Sequence, residues 1–268
     1  MNKKKLSCII PSYKDPYLFK TIRELLDKSE LGDQLEIIAV WDGYYPNSES
    51  IIEDPRVNYV HLGKNRGMRE AINAGVLVST GEFLLRADEH CMFDQGFDKK
   101  MVSECKPNWI MTAKRYFLDP VKWEVMDLEP VINEKLKIRK DENGDPFKFE
   151  GQKWHSRDKQ KRNEDITETM AMQGSCWLMP RKWWDDVIGE LEVEGYGPMY
   201  QDSHEMVFKA WKRGGKLMVN KKTWFAHKHC SFTRTHQYSR ADYEPCLKFT
   251  LDKWGEYYNN DIKPKWKI

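Results

Sequence analysis

The sequence predicts an α/β fold: a mixed, mainly parallel sheet flanked by helices, in a single domain with an inserted segment. Three observations carry that expectation. Over residues 6–87, short β-branched or apolar runs alternate with helix-spaced segments, the pattern of a parallel sheet wrapped by helices. Phe83-Leu84-Leu85 is an apolar run that ends abruptly in the charge of Asp88-Glu89-His90. Buried charge is costly unless paired or metal-bound, and ligands of open α/β sheets sit at that edge. The chain has 268 residues, 40% of them apolar, enough for one large core.

Taken in order, Leu6 to Ile10 is a β-branched run closed by Pro11-Ser12, a first strand. Pro16 stands where a helix begins, and Tyr17 to Leu26 carries apolar residues at helical spacing. Leu35 to Val40 is a second strand, ending at Trp41-Asp42-Gly43, and Val57 to His61 a third. Met68 to Val78 is a helix in which Ala71, Ile72, Ala74 and Gly75 make a small, close-packing face. The Phe83 strand follows, then a helix over Phe97 to Glu104 and a strand over Trp109 to Ala113. From Leu118 to Thr169 the periodicity weakens. Glu142-Asn143-Gly144-Asp145 reads as a hairpin turn between Lys135-Leu136-Lys137-Ile138 and Phe147-Lys148-Phe149, and Lys153 to Glu164 is polar. This region is read as an insertion, partly mobile, that could cover a site. Order returns with the strand Gly174 to Pro180 and a helix start at Arg181-Lys182-Trp183-Trp184. Gln201 to Arg213 is a helix stopped by Gly214-Gly215. Lys216 to Val219 is a strand, Thr223 to Ala226 leads into His227-Lys228-His229, and Tyr243 to Trp254 is a last helix.

Composition narrows the function classes. No run of about 18 apolar residues occurs, so no membrane span is expected. The basic Met1-Asn2-Lys3-Lys4-Lys5 is followed by too short an apolar stretch for a signal peptide, which points to the cytoplasm. None of the 6 cysteines forms a C-x-x-C pair, and reduced thiols are the default. The net charge is only +2, yet bases concentrate in 135–162 and 209–268 and acids in 163–208. The basic stretches also carry Phe147, Phe149, Trp154, Trp224, Phe232, Tyr238 and Trp254. Bases mixed with aromatics suit nucleic acid backbones and exposed bases; solvated helices and a loose tail would give the same composition.

Asp88-x-His90 at the end of a buried strand offers carboxylate oxygen and imidazole nitrogen, a set that suits Mn2+ better than Mg2+. A solvated turn would read the same way in isolation. The wider order is more specific: Cys8-Ile9-Ile10-Pro11-Ser12-Tyr13; Glu36 to Gly43; Gly63-Lys64-Asn65-Arg66-Gly67-Met68-Arg69-Glu70-Ala71-Ile72-Asn73-Ala74-Gly75; and Thr80-Gly81-Glu82-Phe83 through His90. Later come Gly174-Ser175 entering a strand, Gln201-Asp202-Ser203-His204-Glu205 opening a helix, Gly214-Gly215, and Trp224-Phe225-Ala226-His227. This series resembles the GT-A glycosyltransferases of the broad family-2 type. Asp88-x-His90 and the Trp224–His227 stretch look closest to the branch that includes polypeptide N-acetylgalactosaminyltransferases. The resemblance covers about residues 5–115 and 170–230, and no counterpart is recognised for the insertion or the tail.

The resemblance implies a metal-dependent transfer of a sugar from a UDP-sugar donor to an acceptor hydroxyl. It implies a nucleotide-sugar half at 1–115 and an acceptor and catalytic half at 170–235; the residue pattern itself marks an insertion or lid at 116–169 and a basic, aromatic tail at 236–268. Asp88, His90 and His227 would hold Mn2+ (or Mg2+), with His229 the rival of His227. Asp42 would contact uracil or ribose, and Arg66 and Arg69 the nucleotide or its phosphates. Gly174 and Ser175 would let backbone approach the donor sugar. Asp202 would be the general base of an inverting transfer; as the first acid of a helix it could instead be a cap, with Glu205 completing a capping box. Trp41 and Gln201 each stand where the family often has an acid. For the acceptor, hydroxymethylated bases of phage-type DNA are one candidate, a glycan or protein the other. Two other classes would use some of the same residues: a nucleotidyltransferase, whose glycine-rich phosphate loop is missing at Pro11 to Asp15, and a nucleic-acid-binding protein with zinc held by His90, His227, His229 and Cys91 or Cys230.

Overall fold

The computed structural model of the protein describes residues 4–229 and 240–268. β1 (Leu6–Ser12) is buried along its whole length, including Ser7 and Ser12, so it is mainly apolar rather than alternating. Ile9 faces the core on one side of the sheet, and Cys8 and Ile10 the core on the other, as the two-residue strand period requires. α1 (Leu18–Lys28), β2 (Leu35–Asp42), β3 (Val57–Leu62), α2 (Met68–Val78) and β4 (Phe83–Ala87) follow close to their predicted bounds. β4, β1, β2 and β3 lie side by side and parallel. The small face of α2 seats it on the sheet: a Cβ on Gly75 would meet Ile9 Cγ2 at 2.5 Å.

β5 (Cys91–Phe93) and α3 (Phe97–Glu104) lead into β6 (Trp109–Asp119), which runs well beyond the predicted Ala113 and pairs at its end with β7 (Glu124–Val125). β8 (Glu134–Lys140) and β9 (Pro146–Lys153) form the predicted hairpin. α4 (His155–Gln160), β10 (Ile166–Glu168), β11 (Cys176–Pro180), α5 (Arg181–Trp183), α6 (Asp202–Lys212), β12 (Lys216–His227), α7 (Arg240–Tyr257) and α8 (Lys263–Trp266) complete the chain. The main sheet of the described residues is mixed and mainly parallel along its path, in the order β10-β12-β6-β11-β4-β1-β2-β3. β11 runs antiparallel between β4 and β6.

Two expectations change. β12 joins two segments that the sequence keeps apart. Its register shifts between Asn220 and Trp224, and Asn220 Oδ1 accepts the N–H of Lys222 there, so the strand is interrupted in pattern but not in course. The aromatic residues that suggested a nucleic-acid surface are mostly spent on packing. Phe149 and Trp254 are buried; Trp254 stacks on Phe208 at 5.1 Å and donates Nε1–H to Tyr196 Oη. Trp154 packs on Trp266 and Trp224 on Tyr116. Phe149 and Trp254 are therefore closed to bases, and Phe147, Trp154 and Trp224 are only half-buried; these contacts lend the DNA acceptor no support. Phe232 and Tyr238 lie outside the described residues. The β8–β9 hairpin of segment 116–169 is built into the core rather than laid over it: Leu136 and Phe149 are buried, and Tyr258 Oη donates to Leu136 O at 2.6 Å.

Candidate active site and metal centre

Pro11 and Ser12 of β1, Asp42 of β2, Asp88 after β4, Ser175 before the antiparallel β11 and His227 at the end of β12 reach one edge of the sheet. They line a cavity of about 680 Å³ together with Tyr13, Met68, Glu89, His90, Gln173, Met199, Tyr200, Gln201 and Asp202. Asp88 and His90 flank the turn between β4 and β5, and β5 pairs antiparallel with β12, setting His227 opposite Cys91. His227 Nε2 lies 3.0 Å from Asp88 Oδ2 and 3.0 Å from His90 Nε2. Among the described residues, Asp88, His90 and His227 form the one group of side chains arranged to hold a metal ion.

Charge and tautomer suit that role. His90 Nδ1 lies 2.8 Å from Asp15 Oδ2; a ring that donates there presents the lone pair of Nε2 to the gap between Asp88 and His227. Burial pushes the His227 imidazole down to about 4 against the opposing pull of Asp88, so the ring is neutral near pH 7 and able to ligate. Burial alone would raise the Asp88 carboxyl, but the Arg86 guanidinium, with Nη2 2.5 Å from Oδ1, and the bond to His227 hold it well below the usual carboxylate range. One carboxylate oxygen and two imidazole nitrogens fit an ion that accepts both donor types, and three protein ligands leave positions for substrate oxygens.

The other predicted residues divide. Asp42 lines the cavity, but its carboxylate also organises the loop before α2: Oδ1 accepts from Arg66 N at 2.6 Å, and Oδ2 from Gly67 N at 2.7 Å and Asn65 Nδ2 at 2.9 Å. Arg66 is exposed and pairs loosely with Glu70. Arg69 does not face the cavity. It is fully buried, with its guanidinium bonded to Glu205 and to the carbonyls of Tyr200 and Glu192, which leaves it no fork to offer a phosphate. Gly174 O accepts from Arg86 Nη1, and Ser175 O accepts from Asp88 N at 2.8 Å. A Cβ on Gly174 would fall 2.7 Å from Asp202 Oδ2, so only glycine leaves this carboxylate its room.

Asp202 is the first residue of α6 but not its cap. The preceding Gln201 takes the cap position in the left-handed region at φ 59°, with no side-chain cap bond. Glu205 is turned to Arg69 and Lys209 instead of closing a capping box. Asp202 Oδ2 is buried without a hydrogen-bond partner, on the cavity wall. His229 is exposed, lines the same cavity and lies 3.2 Å from Gln173 Nε2 through Nδ1, but is not one of the three clustered residues. Cys91 of the zinc set is buried and stands outside the three-residue cluster; Cys230 lies outside the described residues. Asp15, with a fully buried side chain behind His90, is the residue that motif reading misses. A carboxylate behind a ligating histidine is a general expectation, and Asp15 follows β1 at this same edge, but nothing in the sequence marks it above its neighbours.

The profile of glycosyl transferase family 2 matches residues 7–188. The chain belongs to this family. It is 21% identical over 247 residues to polypeptide N-acetylgalactosaminyltransferase 4 of Mus musculus, across 91% of this chain and 40% of that protein. Its fold matches the crystal structure of GalNAc-T7 with UDP, GalNAc and Mn2+ with a TM-score of 0.73 at 14% identity, covering 98% of this chain and 51% of that one. The fold is therefore the GT-A type that the motifs imply, and the chain spans about half the length, or less, of these relatives. No helix among the described residues is long and apolar enough to cross a membrane.

Proposed function

We propose that the protein is a metal-dependent glycosyltransferase that moves a sugar, with N-acetylgalactosamine the first to test, from a UDP-linked donor to an acceptor hydroxyl of a glycan or protein. The observation that carries this reading is the convergence of Asp88, His90 and His227, whose ligand atoms lie within 4.8 Å of one another, with the Asp202 carboxylate, its Oδ2 free of hydrogen bonds, on the wall of the same cavity. Mn2+ held by the three side chains would neutralise the charge that gathers on the departing diphosphate. The donor's uridine would lie between Pro11-Ser12-Tyr13 and Asp42, its sugar beside Gly174 and Ser175. In an inverting transfer, Asp202 would take the proton of the attacking hydroxyl. A second groove, lined by Phe147, Lys148, Tyr200, Gln201, Tyr243 and Leu247 among others, adjoins the first through Tyr200 and Gln201 and offers the acceptor a path to Asp202.

The test is hydrolysis of UDP-GalNAc with and without Mn2+. The wild type is expected to release UDP only with the ion, and Asp88→Ala to lose at least ~100-fold while keeping its circular dichroism spectrum, because a first-sphere charge ligand is gone. Release of UDP by Asp88→Ala at the wild-type rate would refute the assignment.

A further inference from the structure

We propose that Arg69 and Glu205 are positioning residues: their buried pair fixes the loop that aims Asp202, although neither touches the cavity. The inference rests on the assignment of Asp202 as base. Both side chains are fully buried. Arg69 Nε and Nη2 donate to Tyr200 O at 3.1 and 2.6 Å, and Nη1 donates to Glu192 O at 2.9 Å. The backbone of the same residue donates to Pro198 O at 3.1 Å. The guanidinium stands over the Tyr196 ring, 4.3 Å from its centroid. Glu205 Oε1 accepts from Glu192 N at 3.2 Å. One ion pair thus holds the 192–200 loop at both of its ends, from α2 on one side and α6 on the other.

Beyond Tyr200, the chain has a single residue before the base, Gln201, in a left-handed conformation that L-residues rarely adopt. Such a conformation persists where its surroundings determine it. Two donors on the Tyr200 carbonyl fix the peptide plane that enters Gln201. Asp202 Oδ2 has no hydrogen bond of its own, and Arg86 acts on the carboxylate as a charge, which sets no direction as a hydrogen bond would, so its aim depends chiefly on where the backbone places it. A misplacement of about 1 Å at a reacting group can cost 100-fold in rate.

Removing Glu205 alone leaves Arg69 buried and unpaired, and removing Arg69 alone leaves Glu205 only Lys209, a change that can unfold the protein. The informative variant is therefore the double change Arg69→Met with Glu205→Gln, which removes both charges and leaves Glu192 N an acceptor. The expected result is a melting temperature within a few degrees of wild type, UDP affinity in Mn2+ within threefold, and kcat for UDP-GalNAc hydrolysis down at least tenfold. Arg69→Lys, with a point charge in place of the fork, is expected to fall between. Unchanged kcat in the double variant overturns the proposal, as does a loss of UDP affinity equal to the loss of kcat, which would mean general loosening. Absence of turnover in the wild type with any UDP-sugar overturns the glycosyltransferase reading instead.

Discussion

Asp15 shows how much of a site can rest on a residue that touches no substrate. Its carboxylate lies 2.8 Å from His90 Nδ1 and so selects the tautomer that can ligate through Nε2. Partners of this kind are worth about 10–100-fold in metal affinity. Asp15→Asn is expected to weaken Mn2+ binding by that factor, read by titrating Mn2+ against UDP release, with little change in saturating rate. A fall in rate that excess Mn2+ does not restore would assign Asp15 another role. The same scale explains what the sequence could and could not reveal. Asp88 and His90 stand out because acid and imidazole close an apolar strand within an ordered series of motifs; in isolation a solvated turn would read the same way. Arg69 reads like any arginine on a helix face, and its partner Glu205 lies in another helix, so its burial could not be inferred from spacing.

At the scale of elements, α6 carries an acid-sensitive residue. Both ring nitrogens of His204 are buried without partners, and burial, with Lys148 adding to it, pushes the imidazole down to about 4 from its ordinary 6.5. The unfolded chain takes up that proton near 6.5 and the folded one only near 4. The native state therefore has the full contribution above pH 6.5 and loses it as pH falls through that window. The loss is about 1.4 kcal/mol per pH unit, or about 2 kcal/mol at pH 5. His204→Leu is expected to flatten this part of the acid limb in urea unfolding at pH 7.5 and pH 5; an equal slope in both proteins would show that His204 does not titrate in this way. α7 makes a second element-level claim. Trp254 is buried against Phe208 and Tyr196, so Trp254→Ala is expected to cost about 3–5 kcal/mol of stability and to leave metal affinity unchanged. α7 was legible as a helix; its docking onto β9 and α6 was not, because an aromatic helix face looks alike whether it meets solvent, a nucleic acid or the rest of the core. β12 failed to read as one strand for a local reason: the break at Asn220 to Trp224 disrupts the alternation on which strand recognition depends.

For the molecule as a whole, the sheet separates two apolar cores, one built on α1 and α3, the other on α2, α6, the β8–β9 hairpin and α7. The proposed metal ligands follow β4 and end β12, and Asp202 opens α6. A ligand that spans the cavity therefore ties the strand edge to the α2–α6 side. That arrangement makes folding stability report on the site. UDP with Mn2+ at about 100 times its dissociation constant is expected to stabilise the folded state by about 2.7 kcal/mol, a rise of roughly 5–10 °C in melting temperature for a chain of this size. UDP with EDTA should give little of that shift, and Asp88→Ala should give little of it with either. The three arms separate a diphosphate held through the ion from a nucleotide held by its base alone. Equal shifts with and without Mn2+ would mean that Asp88, His90 and His227 meet one another in the fold without bringing a cation to the donor.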